Sequence, residues 1–139
     1  MKVSVLGCGR WGTFLAWYSA TIGHDVSLWG REDSKNFKQL REARRNDYLA
    51  LPGSVQLSNS LEQVLENEYI IISINSQSLR SFAQDVREGQ PQGKKFILCM
   101  KGIESDTGKR LSQVLTEEIG TSCSVVIWVG PGHVQDFIS

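Results

Sequence analysis

The 139-residue sequence has no net charge, no long apolar run and only three cysteines, and each shortage excludes something. Fifteen basic residues balance fifteen acidic ones, so no overall field draws the chain to nucleic acid or to an anionic membrane. No stretch approaches the ~20 apolar residues that a membrane-spanning helix needs. The chain enters a strand-like segment at once, and is expected to carry no secretory signal. Cys8, Cys99 and Cys123 are odd in number, widely spaced, and lie beside or within apolar segments. Such spacing argues against a disulfide framework or a zinc site, and for buried thiols in a reducing compartment. The cytoplasm is the expected location.

What is present is an ordinary globular composition, with 40% hydrophobic and 22% charged residues and length enough for one domain with a core of its own. The one crowded stretch of like charge, Lys38, Arg41, Arg44 and Arg45, reads as a solvated helix face.

Short apolar runs alternate with helical spacing. Val3–Leu6 predicts a buried strand stopping at Gly7. Trp11, Phe14, Leu15, Tyr18 and Ile22 recur at helical intervals, with Gly23 ending the helix. Val26–Trp29 predicts the second strand and 34–45 a polar helix, followed by a loop through Tyr48, Leu51 and Pro52. Ser60 and Gln63 form a capping-box pattern for a short helix. Strands are predicted over 69–74, 96–100 and 125–129. Between them fall helices marked by Leu79, Phe82 and Val86, capped near Ser76, and by Leu111, Val114, Leu115 and Ile119. Alternation of this kind implies a doubly wound α/β fold, a parallel sheet covered on both faces.

The decisive local pattern is Gly7-Cys8-Gly9-Arg10-Trp11-Gly12. A bare G-x-G-x-x-G is a weak signal, and a glycine turn with no ligand is its bland explanation. Placed between a buried strand and an amphipathic helix, it is the fingerprint of dinucleotide binding. Gly7 permits the tight turn, Gly9 lets the backbone approach a pyrophosphate, and Gly12 allows close helix–strand packing. The helix N-terminus then offers free N–H groups and a positive dipole end to the phosphates.

The end of the second strand bears on which dinucleotide is bound. NAD-selective domains place a carboxylate there, whereas this chain has Trp29-Gly30-Arg31. A guanidinium at Arg31 could grip a 2′-phosphate and stack on adenine, which favours NADPH over NADH. Glu32 next to it complicates that preference, and Arg31 as a plain solvated charge is the other reading. Lys101, just past the end of a predicted strand, lies where doubly wound sheets place ligands. Its ammonium could neutralise a phosphate or polarise a carbonyl as negative charge grows on oxygen.

Further segments carry a resemblance that runs along essentially the whole chain. Gly7–Thr13, Leu28–Arg31, Asn46–Leu49 with Leu51-Pro52, Ser76–Arg80, Lys101–Glu104 with Thr107-Gly108, and Gly130–His133 occur in that order. In these the sequence resembles the bacterial NAD(P)-dependent glycerol-3-phosphate dehydrogenases. The glycine turn is common to many dehydrogenases; Lys-Gly-Ile-Glu and Gly-Pro-x-His are far more specific. The resemblance implies reversible hydride transfer between NAD(P)H and dihydroxyacetone phosphate, giving sn-glycerol 3-phosphate for phospholipid synthesis. It implies cofactor contacts at Arg10, Trp11, Arg31, Lys101 and Val134, and substrate contacts at Lys101, Gly130 and Gly132. It also implies that 1–139 is the N-terminal dinucleotide-binding domain, with a helical substrate domain outside this chain, and that the whole protein is a homodimer. The family's base is a lysine of that helical domain, so no catalytic residue is expected here and the fragment alone is expected to be inactive.

Two departures accompany the likeness. Asn75 stands where relatives often have proline, so the adjoining loop is expected to differ in shape; Gly132 stands where they often have a side-chain oxygen. His24 is expected to be a surface or capping residue, and His133 to orient a neighbour rather than act as the base. Two other readings stay open at this point. One is a stand-alone NAD(P)-sensing module without catalysis; the other is a different two-domain NAD(P)-dependent dehydrogenase.

Overall fold

The chain forms strands β1 (Lys2–Leu6), β2 (Asp25–Trp29), β3 (Gln56–Ser58), β4 (Tyr69–Ile72), β5 (Lys95–Leu98) and β6 (Ser124–Ile127), all but β3 on the predicted apolar runs. Between and after them lie helices α1 (Arg10–Thr21), α2 (Lys35–Ala43), α3 (Leu61–Val64), α4 (Leu79–Glu88), α5 (Leu111–Ile119) and α6 (Val134–Ile138). The computed structural model describes residues 1–138; Ser139, where the domain was expected to end, lies outside them. All strands pair in parallel, in the order β3-β2-β1-β4-β5-β6, and Val5 lies level with Leu28 on one side and Ile71 on the other. This is the doubly wound arrangement, and its order reverses between β1 and β4.

Successive strand residues point to opposite faces, so one sheet builds two cores. On one face Leu6, Ile70, Ile72, Phe96 and Leu98 pack with Leu79, Phe82 and Val86 of α4 and Leu111, Val114 and Leu115 of α5. On the other, Val3, Val5, Val26, Leu28 and Ile71 meet Phe14 and Leu15 of α1 and Phe37 and Leu40 of α2. Ser4 is fully buried in β1. Its hydroxyl donates to the Val64 carbonyl at 2.6 Å and accepts from the Asn67 amide at 2.9 Å, so this buried hydroxyl is satisfied.

Several local expectations are corrected. Strand β3 was not foreseen, because three residues at a sheet edge need no apolar run. Before α4 a 3₁₀ turn spans Ser76–Ser78, and its cap is Asn75, not Ser76: the Asn75 Oδ1 accepts from the Gln77 N–H at 2.9 Å. Asn75 has φ −60° and ψ 130°, values that proline also adopts. The Ser60 capping box is half formed. Ser60 Oγ accepts from the Gln63 N–H, but Gln63 Oε1 accepts from Ser58 Oγ instead of reaching back to Ser60.

Arg44 is not part of a solvated face. It ends α2 with φ 58°, and its guanidinium donates to the carbonyls of Pro52 at 2.7 Å and Val55 at 2.9 Å, stapling the next loop. Strand β6 stops at Ile127, earlier than the apolar run does, and forms an open edge where Val126, Ile127, Trp128 and Val129 are exposed.

Candidate functional site

The glycine turn sits at the carboxyl ends of β1 and β4, where the strand order reverses. Gly7 has φ 116°, and a Cβ there would lie 2.0 Å from the Ser73 carbonyl oxygen. A Cβ on Gly12 would lie 2.0 Å from the Gly7 carbonyl oxygen, so α1 rests directly on the turn. Gly9 is different: nothing approaches its missing Cβ within 4 Å, and the space it faces is open. Gly9 is the N-cap of α1 but provides no side-chain cap, and no acidic residue occupies the first turn. The first amide of the helix to bond back is that of Thr13, which donates to the Gly9 carbonyl at 3.0 Å. The amides of Arg10, Trp11 and Gly12 precede it and remain available as anion donors. An open cradle over uncapped amides fits a pyrophosphate.

Toward β2, a cleft of about 580 Å³ is lined by Trp29, Arg31, Glu32, Asp33, Lys38 and Asn59. The Arg31 guanidinium lies 5.6 Å from the Trp29 ring centre and 3.8 Å from Asp85, with both partners of that ion pair more than half exposed. Gly30 has a packing reason for lacking a side chain. A Cβ there would lie 2.6 Å from Cys8 Sγ and 2.6 Å from the Phe37 ring. The missing carboxylate is therefore a consequence of how α2 packs on the turn.

Toward β6, a second cleft of about 390 Å³ brings together Arg10, Trp11, Lys101, Gly130, Gly132 and Val134, six of the sequence candidates. Cys99, Trp128, Val129 and His133 complete its wall, and among the described residues no carboxylate lines it. Burial pushes the Cys99 thiol up to about 11, so it stays neutral beside the two cations. A Cβ on Gly132 would lie 2.8 Å from the Phe137 ring, which packs on Trp11 and Phe14. The side-chain oxygen expected of relatives would need that ring to move. His133 is exposed and its amide donates to Asp136 at 3.2 Å. His24, with Nδ1 3.2 Å from the terminal amine, sits at the opposite, amino end of the sheet.

Some contributors had no role assigned from the sequence. Asn46 Oδ1 accepts from the amides of Tyr48 and Leu49, folding the loop after α2. Leu49 is buried, while the Tyr48 ring lies 4.5 Å beneath the Arg10 guanidinium carbon and steadies that side chain at the mouth of the turn. Arg80 grips Glu104 with two hydrogen bonds of 2.9 and 2.7 Å, and Gln77 hydrogen-bonds the backbone of Ile103 and Ser105. With Thr107 also donating to it, the Glu104 carboxyl is held down to about 2, chiefly by Arg80. Both motifs were visible in the resemblance, but their pairing across 24 residues was not.

An open glycine turn at the reversal point of a 3-2-1-4-5-6 sheet makes this chain a dinucleotide-binding domain of the Rossmann type. The family model described as the N-terminus of NAD-dependent glycerol-3-phosphate dehydrogenase matches residues 2–138, and the chain belongs to that family. It is 32% identical over 142 residues to the glycerol-3-phosphate dehydrogenase [NAD(P)+] of Thermoanaerobacter sp. (strain X514), covering 99% of this chain and 42% of that protein. To the enzyme of that name from Desulfitobacterium hafniense (strain Y51) it is 36% identical over 140 residues, covering 97% and 39%. The chain thus spans about two-fifths of the length of these curated relatives. The crystal structure of glycerol-3-phosphate dehydrogenase from Coxiella burnetii superposes with a TM-score of 0.83 at 24% identity, over 97% of this chain and 42% of that one. That likeness shows the shared fold.

Proposed function

We propose that this chain is the cofactor half of an NAD(P)H-dependent enzyme interconverting dihydroxyacetone phosphate and sn-glycerol 3-phosphate for phospholipid synthesis, with NADPH preferred. The observation that carries the reading is the cleft beside β6, where Arg10 and Lys101 meet with no carboxylate among the lining residues. In a chain of balanced charge, such a site selects an anionic ligand such as a phosphate ester. The relatives' names supply the particular substrate.

The Gly9 turn and the first amides of α1 hold the pyrophosphate, Arg31 the adenosine end, and Trp11 and Val134 the wall of the far cleft. The bound cofactor supplies the hydride. Lys101 places a positive charge where oxygen gains negative charge during reduction, or on the substrate phosphate. Gly130 and Gly132 border the substrate through backbone groups alone. The base is assigned to a lysine in a helical domain outside this chain; a homodimer and a cytoplasmic location belong to the same reading.

Fluorescence titration of the chain with NADPH tests it. Saturable binding, weakened in Lys101→Ala, is expected. A steady-state assay with dihydroxyacetone phosphate and NADPH should show negligible turnover. Turnover like that of an ordinary dehydrogenase, or no NADPH binding at all, would overturn the assignment.

A further inference from the structure

Between Lys101 and Gly108 no side chain is buried, and even Ile103 is 53% exposed. The segment turns at Gly102, whose φ of 108° suits glycine and leaves the backbone free to swing. Among the described residues the Lys101 ammonium has no ion pair of its own. Nothing apolar and nothing on Lys101 itself therefore fixes where this cation points.

Polar bonds flank it instead. On the near side the sheet ladder runs on to Cys99, whose amide donates to the Ile72 carbonyl at 3.0 Å. On the far side Gln77 Nε2 donates to the Ile103 carbonyl at 2.9 Å, and Gln77 Oε1 accepts from the Ser105 amide at 2.9 Å. One residue further, the Glu104 carboxylate takes both prongs of the Arg80 fork, while the third Arg80 donor reaches Glu117 on α5 at 2.8 Å. Glu104 is only 13% exposed and Arg80 28%, so water competes weakly for this pair. Within the loop, the Glu104 amide donates to the Lys109 carbonyl at 2.9 Å and the Gly108 amide to the Glu104 carbonyl at 2.8 Å. Gln77 stands in the 3₁₀ turn before α4 and Arg80 in the first turn of α4, whose face is packed into the core through Leu79 and Phe82.

We infer that Arg80 and Gln77 are positioning residues for Lys101: through Glu104 and the backbone of Ile103 and Ser105 they hold the loop so that its cation faces the cleft. This rests on the reading above, in which Lys101 meets the far half of the cofactor. The adenosine end at Arg31 lies beside β2, three strands from β5, and its ion pair to α4 is with Asp85, an exposed residue five positions beyond Arg80 that takes no part in the clamp.

The test is a double-mutant cycle with two ligands, NADPH and adenosine 2′,5′-bisphosphate, the latter lacking the nicotinamide half. Lys101→Ala is expected to weaken NADPH about tenfold, the scale of one charge-assisted hydrogen bond, and to leave the bisphosphate within about twofold. Glu104→Gln and Arg80→Met should each weaken NADPH roughly threefold or more and likewise spare the bisphosphate. Arg80→Lys should not restore binding, because an ammonium cannot make the two-pronged contact. In the Lys101→Ala background, Glu104→Gln should add nothing further, the mark of action through one shared group.

If Lys101→Ala weakens NADPH while the clamp variants bind like wild type, the inference falls and the proposed function stands. Should Glu104→Gln cost as much with Lys101 absent as with it present, or weaken both ligands alike, the pair serves only the fold. If Lys101→Ala has no effect on NADPH, both the Lys101 assignment and its clamp are wrong. Circular-dichroism melts accompany each variant. Gln77→Ala, at an exposed position touching the loop independently, carries the same test if Arg80→Met fails to fold.

Discussion

Two alanine substitutions, Gly9→Ala and Gly12→Ala, separate the part of the glycine turn that binds from the part that packs. At Gly12 the new methyl would sit 2.0 Å from the Gly7 carbonyl oxygen, far inside contact distance, so α1 must lift off the turn. Overpacking of this kind costs about 3 kcal/mol, and the better helix propensity of alanine returns about 1 kcal/mol. The net loss of about 2 kcal/mol lowers the melting temperature by roughly 6 °C in a domain of this size. At Gly9 the methyl meets nothing within 4 Å, and φ of −73° suits alanine. Alanine is the poorer N-cap but also the less flexible unfolded residue, so stability should change by less than about 1 kcal/mol. The same methyl would occupy the space where the backbone should approach the pyrophosphate. Losing one or two hydrogen bonds to a charged ligand, at about 1.5–3 kcal/mol each, weakens binding by roughly tenfold to ten-thousandfold. Thermal melts and NADPH titrations on both variants give the contrast directly. A Gly9→Ala protein that binds NADPH like wild type, or that melts below Gly12→Ala, would refute the division.

Arg31→Ala should weaken NADPH about tenfold or more through lost charge-assisted bonds to the 2′-phosphate, with NADH little affected; equal losses in paired titrations would remove Arg31 as the selectivity determinant. The Glu104 carboxyl, held at about 2 by Arg80 with Thr107 and Lys109 beside it, lies below its ordinary value of 4.5. Its contribution is therefore fully present above pH 4.5 and lost as pH falls toward 2. Carboxyl-carbon NMR should show Glu104 still ionised at pH 4, and a titration midpoint near 4.5 would mean that the Arg80 clamp does not form in solution.

The sheet was legible because its strands must be apolar on both faces: Tyr69–Ile72 and Phe96–Leu98 could hardly be anything else. β3 was not, since an edge of three residues is defined by its neighbour β2 and not by its own pattern. The glycine turn was legible in local sequence, as Gly7 and Gly12 answer contacts within a few residues or at the neighbouring strand and Gly9 leaves open space between them. The meaning of Gly30 was hidden because its reason, the Phe37 ring and Cys8 sulfur, is tertiary. Arg44 misled for a related reason. A charge on a polar helix reads as solvated unless one knows that the chain turns back to offer the Pro52 and Val55 carbonyls. The Arg80–Glu104 clamp likewise depends on how α4 is seated against the loop after β5, which no periodicity encodes.

The two clefts recognise charge by different means, and the residue count in each shows why. Beside β2, Arg31 and Lys38 are matched by Glu32 and Asp33, so the lining carries no net charge. A 2′-phosphate there gains nothing from the general field, and solvent ions screen what remains beyond about 8 Å. On the proposed reading it is held by directed bonds from Arg31, which makes selectivity at that end a matter of guanidinium geometry. Beside β6 the described lining residues include Arg10 and Lys101 and no carboxylate, with Cys99 kept neutral. The field itself attracts an anion into that cleft, but a field does not fix where a flexible lysine sits. Geometry must then come from elsewhere; on the inference above it comes from Tyr48 under Arg10, the Arg80–Glu104 bonds and the Gln77 bonds to Ile103 and Ser105. The end with balanced charge carries its precision in the ligand-binding side chain, whereas the cationic end delegates it to a second layer of residues that need not touch the ligand.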